Sequence, residues 1–104
     1  MDKFRRDLQA KFEEILGNRN VYFQPPASLL MQYPAIRYSL KDIQTKSANN
    51  SSAYIMSSGY ECILITKEPA DEKYLGQIFS IPHCKFGRYY SADNLHHYTF
   101  TIYQ

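Results

Sequence analysis

Alternation of apolar and polar residues with a period of two is the feature that most constrains the fold of this chain. Between residues 33 and 40, Ile36, Tyr38 and Leu40 alternate with smaller or polar side chains. Successive side chains of a strand point to opposite faces of its sheet, so this pattern predicts a half-buried strand. A longer stretch rich in Tyr, Ile and Leu, residues 53–67, predicts a central strand of the same sheet.

Three shorter stretches predict the remaining strands. Residues 20–24 read as a short strand that two prolines end, because proline has no N–H to donate to a ladder. Residues 83–90 and 95–103 predict a C-terminal hairpin, joined by the turn-forming residues 91–94. Within the long strand, Gly59 marks either a bulge or the close approach of another backbone.

Two helices are predicted from apolar residues spaced three and four apart. The first covers residues 2–16, with Asp2 as its N-cap and Gly17 at its exit. Its apolar stripe consists of Phe4, Leu8, Phe12, Ile15 and Leu16. The second begins after Pro69 and is ended by Pro82. Its buried stripe is predicted to be Tyr74, Leu75, Ile78 and Phe79.

The order of these elements defines the expected fold class. Helix, strands, helix and hairpin predict an α+β fold, in which an antiparallel sheet of about four to five strands carries two helices packed on one face. The chain has 104 residues, a common size for one domain, so we predict that residues 1–104 form a single α+β domain. A chain of this size buries roughly two-thirds of its unfolded surface and needs no disulfide or metal to fold.

Charge and hydropathy narrow the function classes. With 12 basic and 10 acidic residues the net charge is +2, which lacks the strong basic excess of a dedicated nucleic-acid binder. A basic face on the first helix keeps a nucleic-acid-binding module as an alternative, although acidic residues interrupt that face. No apolar run approaches the ~20 residues that span a bilayer. The first residues lack the apolar core of a signal peptide, so we expect a protein made in a cytoplasm, with no membrane partner.

The sequence contains few candidates for catalysis or cofactor binding. Cys62 and Cys84 are 22 residues apart, and neither has the second nearby Cys of a zinc site, so we predict buried thiols. The four scattered glycines form no phosphate-binding loop. His96 and His97 are adjacent on a strand and point to opposite faces. We therefore predict no catalytic residue, metal or cofactor; a small enzyme that uses Cys84 with a nearby His stays open as an alternative.

Several segments, in order, resemble a known group of proteins. Residues 81–100, IPHCKFGRYYSADNLHHYTF, resemble a segment of the neck and tail-completion proteins of long-tailed bacteriophages. These are the proteins described as tail-terminator, head–tail joining or minor capsid proteins. Residues 21–26, Met31, 33–34 and 36–38 are similar to the same group. One departure is Gly87, where the resemblance leads us to expect a larger polar residue before the arginine.

The resemblance implies a structural virion protein rather than an enzyme. Such a subunit forms a ring, usually a hexamer, that terminates or completes the tail tube and joins it to the head connector. Its partners would be other copies of itself, the tail tube protein and the connector or stopper protein. Genomic DNA would pass through the lumen without sequence-specific binding. The implied location is the head–tail junction of the virion, after assembly in the cytoplasm of the bacterial host.

Three regions are predicted to form the subunit or partner interfaces. A ring needs two different, complementary patches on each subunit. The first region is an edge strand with its stop, comprising Tyr22, Phe23, Gln24, Pro25 and Pro26. The second is the polar loop at 47–52, represented by Ser47, Asn49, Asn50 and Ser51. The third is the turn at 88–97, represented by Arg88, Asp93, Asn94 and His97.

Overall fold

The computed structural model describes residues 2–26, 30–47, 53–69 and 72–103, and at residues 2, 42–47 and 53–58 it describes the backbone alone. In chain order the elements are α1 (Asp2–Leu16), β1 (Val21–Phe23), β2 (Ala35–Ser47), β3 (Ala53–Thr66), α2 (Glu72–Phe79), β4 (Cys84–Ala92) and β5 (Leu95–Tyr103). Two helices and a five-stranded, mostly antiparallel sheet confirm the α+β class. The side chain of Asp2, the predicted N-cap, lies outside the described residues.

The strand order in the sheet is β1-β2-β3-β5-β4. Three neighbouring pairs are antiparallel, but β1 and β2 run parallel, with Val21 opposite Ile36 and Phe23 opposite Tyr38. The β1–β2 pair is therefore an exception to the predicted antiparallel sheet. Because β1 and β2 run parallel, both strands begin at the same end of the sheet, and the two prolines after β1 favour neither a tight hairpin nor continued pairing.

The hydrophobic core lies between the two helices and one face of the sheet. From α1, Leu8, Phe12, Ile15 and Leu16 are buried, which confirms most of its predicted stripe. Phe12 is completely buried, and its ring meets the rings of Tyr38 and Phe100 edge-on at centroid distances of 5.6 and 6.0 Å. Burial raises the pKa of Tyr38, and nearby Arg5 partly offsets that effect. Its hydroxyl donates a 2.6 Å hydrogen bond to Gln9 Oε1.

The second helix is short and only partly buried. Ile78 is fully buried, whereas Tyr74 and Leu75 are half-buried at the edge of the core. Phe79 is 40% exposed, so its predicted place in the buried stripe is wrong. Instead of entering the core, its ring packs against the ring of Phe86 on β4 at a centroid distance of 5.6 Å, and Phe86 is itself exposed.

The strand β2 is longer than the sequence predicts. It continues from Leu40 to Ser47, a mostly polar stretch without apolar alternation, because it stays paired with β3 throughout. The register shifts between Leu40 and Asp42, and Asp42 lies opposite Gly59, so a bulge does lie beside this glycine. The close approach at Gly59 comes from a side chain rather than a backbone: a Cβ there would lie 2.7 Å from a ring carbon of Tyr103.

Candidate functional site

The strand β1 lies at one edge of the sheet, as predicted for the first interface region. Tyr22 is half-buried on the face opposite the helices, while Phe23 packs on the helix side against Tyr38 at 5.0 Å. The guanidinium of Arg5 lies 4.8 Å from the centre of the Phe23 ring. Tyr22 therefore stays partly accessible at this edge, whereas the Phe23 ring mainly contacts core residues.

Gln24 extends the pairing of β1 by one residue with unusual geometry. Its φ is +44°, its backbone N–H donates to the Tyr38 carbonyl at 2.8 Å, and its Oε1 accepts from the Leu40 N–H at 3.2 Å. Pro25 is half-buried and Pro26 is exposed. Because the two prolines offer no N–H, the β1 edge cannot continue as a ladder beyond Gln24.

The second predicted region lies at the far end of the two longest strands. Ser47 is the last residue of β2 and pairs with Ala53, whereas Asn49, Asn50 and Ser51 lie outside the described residues. The backbone leading to this end, residues 42–47 and 53–58, is here called the arm. The described parts of β1 and β5 pair with β2 and β3 only up to Tyr38 and Gly59, so no described strand flanks the arm.

The third predicted region is a tight hairpin turn. Asp93 and Asn94 both have positive φ, +55° and +60°, and they connect the paired residues Ala92 and Leu95. Positive φ at both central residues is the type I′ geometry, which Asp and Asn tolerate and which matches the twist of a hairpin. Both side chains are exposed at the end of the sheet.

Arg88 and His97 from this region are joined through a ring stack. The guanidinium of Arg88 lies 4.6 Å from the centre of the Tyr90 ring, and that ring stacks on His97 at 4.6 Å with planes 10° apart. The three side chains form a ladder on the sheet face opposite the helices. His96 lies on the helix side instead, where its Nδ1 is 2.7 Å from the Tyr89 hydroxyl.

A bulge in β4 sets the position of Arg88. The register between β4 and β5 shifts between Phe86 and Tyr89, and the Thr99 side chain bridges the gap. The Arg88 N–H donates to Thr99 Oγ1 at 2.7 Å, and that hydroxyl donates to the Arg88 carbonyl at 3.1 Å. A Cβ at Gly87 would lie 2.5 Å from the same oxygen. Glycine at this position, the departure from the resembling group, therefore avoids a steric clash with the Thr99 side chain.

The structure also brings together an aromatic surface that sequence reasoning missed. Phe79, Phe86 and Tyr89 are 40%, 47% and 49% exposed, and we call them the β4 strip. Phe86 and Tyr89 lie on β4, which is the second edge strand of the sheet. In the sequence, these residues look like ordinary members of a strand or helix. They stay exposed because β4 lies at the edge of the sheet, where no further strand covers them.

Burial favours the protonated form of both Cys thiols. Cys62 is fully buried, and desolvation is the main cause that raises the pKa of its thiol. Cys84 is only half-buried, so the prediction of a buried thiol is wrong for this residue, although its partial burial raises its pKa to about 11. The thiolate is the reactive form, so both groups are poor nucleophiles at neutral pH. Among the described residues, no group of three His, Cys, Asp or Glu side chains is placed to hold a metal ion.

An open groove of about 790 Å³ lies between α1 and α2. Its charged lining is balanced, since Lys11 and Lys73 are accompanied by Glu14 and Glu72. Such a lining offers no excess charge to select an ionic ligand. Within the described residues, neither helix is long and apolar enough to cross a membrane.

Comparison of the chain with models of known protein families finds no matching family, and comparison with curated proteins finds no match. The function is therefore inferred from the surfaces described above: the β1 edge, the arm, the β4 strip and the ladder of Arg88, Tyr90 and His97.

Proposed function

We propose that this protein is a structural subunit of a long-tailed bacteriophage, and that copies of it form a ring at the head-proximal end of the tail. The ring, predicted to be a hexamer, terminates or completes the tail tube and joins it to the head connector. The observation that carries the proposal is the arm, a two-stranded ribbon that continues beyond the five-stranded part of the sheet.

The arm is long compared with ordinary strand ends. Six residues of β2 lie beyond Lys41, which at ~3.3 Å per residue extend the ribbon by roughly 20 Å. The molecule is correspondingly elongated, at 53 × 31 × 23 Å. A two-stranded ribbon alone in water is marginally stable at best. A neighbouring surface that packs against the arm would supply the missing stabilisation.

A closed ring requires a second, different surface that receives the first. Head-to-tail contacts close into a ring only when the patches are distinct and complementary. The β4 strip meets this requirement because it is exposed, apolar and located on a different strand from the arm. We propose that the arm of one subunit packs against the β4 strip of the next. Exposed aromatic side chains of this kind are enriched at protein interfaces.

The test removes the arm and leaves the five-stranded part of the sheet in place. Replacing residues 44–57 with Asn-Gly joins Ile43 to Ser58, which are paired in the register of β2 and β3. Asn-Gly favours the two-residue type I′ turn that such a connection needs. A control variant keeps the arm and replaces only residues 48–52 with a Gly/Ser segment of the same length.

Both variants and the unmodified chain are then incubated with purified tail tubes and sedimented. The unmodified chain is expected to sediment with the tubes, and the arm-shortened variant to stay in solution while its circular dichroism spectrum reports a folded protein. Binding by the control would assign the contact to the arm, and its loss would assign it to the polar loop. Failure of the unmodified chain to bind tubes would reject the proposed function.

A further inference from the structure

The sheet face opposite the helices, here called the open face, carries most of the sheet's charge. It presents Arg37 and Lys41 from β2, Glu61 from β3, and Lys85 and Arg88 from β4, all of them exposed. Residues directly opposite each other in neighbouring strands share a face of the sheet. Glu61 and Lys85 both lie opposite Thr101, and Arg37 lies opposite Ile63, so these residues are on one face. Neither described helix covers this face, because both contribute to the core on the other side.

The charge of the protein is divided unevenly between this face and the rest. Among the side chains that the structure describes, the open face holds four basic and one acidic, for a net charge of +3. The other described side chains, seven basic and six acidic, sum to +1. Most of the described excess of positive charge therefore lies on this face. Such a local field concentrates polyanions near the surface.

The four cations are spread in two dimensions. The strands β2 and β4 are separated by three inter-strand spacings, so the two pairs of cations lie roughly 14 Å apart across the sheet. This separation is comparable with the ~12 Å width of the major groove of duplex DNA, so the two pairs can reach phosphates on both strands. Arg88 is already held in place over Tyr90, which lowers the entropy lost on binding.

The chemistry of this face favours phosphate over a protein partner. Ile65 is 3% exposed and Ile63 is half-buried, whereas the five charged residues are exposed, so charge rather than apolar surface dominates this face. Hydroxyl groups of Ser39 and Thr101 flank Glu61 and can donate to phosphate oxygens. The exposed aromatic β4 strip lies on the helix side of the sheet.

We infer that the open face binds the phosphate backbone of double-stranded DNA without sequence preference. The identity of the DNA as a passing genome rests on the proposed ring function, whereas the charge division does not depend on it. In the ring, this face would be the one turned toward the DNA. The contact is electrostatic, so its strength depends on salt.

The test measures binding of the isolated chain to fluorescent duplexes of two unrelated sequences by anisotropy. Four phosphate contacts give a slope of about −3.6 in log affinity against log salt, or about a 150-fold loss of affinity between about 50 and 200 mM salt. The open-face variant combines R37Q, K41Q, K85Q and R88Q. The control variant, with the same change in net charge, combines K3Q, K11Q, R19Q and K73Q, which are exposed and lie on the helices or just after α1.

The unmodified chain and the control variant are expected to bind both duplexes with the same slope, and the open-face variant to lose binding. Equal loss in both variants, or no binding by the unmodified chain at about 50 mM salt, would overturn the inference. Displacement of the duplex by polyglutamate as readily as by unlabelled DNA would indicate an acidic protein ligand and would also overturn it.

Two further measurements keep the outcome clear. If the fourfold variant unfolds, the single variants R37Q and K3Q are compared, and only R37Q is expected to reduce the slope, by about 0.9. Binding is measured on the isolated chain, so it does not require a ring. If the chain binds tail tubes but not DNA, the proposed function stands and this inference is overturned. If it binds DNA but not tail tubes, this inference stands and the proposed function is rejected.

Discussion

Replacing Gly87 with Ala tests how the bulge in β4 holds Arg88 in place. The added Cβ would lie 2.5 Å from Thr99 Oγ1 and 3.3 Å from the Thr99 carbonyl oxygen. The Thr99 side chain must therefore rotate away, and its two hydrogen bonds with the Arg88 backbone are lost. Each bond contributes about 0.5–1.5 kcal/mol, and the exposed site lets water replace part of that.

The expected net cost of Gly87→Ala is about 1–2 kcal/mol. At mid-range, the two lost hydrogen bonds together cost about 2 kcal/mol. Alanine also lowers the conformational entropy of the unfolded chain, which offsets up to about 1 kcal/mol of this cost. In a Thr99→Ala background the two hydrogen bonds are already absent. There Gly87→Ala should cost about 2 kcal/mol less, because it removes no further hydrogen bond.

The assay is urea denaturation of the two single variants, the double variant and the unmodified chain. Tyrosine fluorescence and circular dichroism can report unfolding, since the chain has ten Tyr and no Trp. The sum of the losses in free energy of unfolding for the two single variants should exceed the loss for the double variant. If Gly87→Ala costs the same in both backgrounds, Thr99 does not bridge the bulge and the account of Arg88 positioning is refuted.

Two further predictions concern the core and its thiols. Phe12→Ala should lower the free energy of unfolding by about 4 kcal/mol in urea denaturation, because the ring is completely buried. Phe86→Ala should lower it by less than about 1 kcal/mol, because this ring is 47% exposed. Equal losses for the two variants would contradict the packing described. Cys84 should react with iodoacetamide about 100-fold more slowly in the native protein than in urea at pH 7.5, since burial raises its pKa to about 11 from 9.0. That rate, followed by peptide mass spectrometry, should rise about tenfold per pH unit until the pKa is reached; a plateau near neutral pH would show an ionised thiol.

Local patterns predicted most of the elements because each depends on its own side chains. The helix α1 and the strands β3 and β5 have bounds close to those expected, since an apolar stripe or an alternating pattern is sufficient to define them. The end of β2 could not be predicted, because residues 41–47 have a mostly polar sequence and are ordered by pairing with β3. The parallel pairing of β1 depends on the path of the chain between strands, which no local pattern encodes.

The candidate surfaces were predictable only in part. The hairpin turn at Asp93 and Asn94 and the edge position of β1 follow from turn and proline chemistry. The exposure of Phe79 does not, because it depends on β4 being the last strand of the sheet. The basic character of the open face also required the strand order, since Arg37 and Lys85 belong to strands that are distant in sequence.

Electron microscopy of purified tail tubes incubated with the full chain tests the central claim most directly. Averaged images of the tube ends should contain a closed ring of identical copies, predicted to be six, at one end of each tube. Bare tube ends beside a protein that remains monomeric at every concentration would contradict the account.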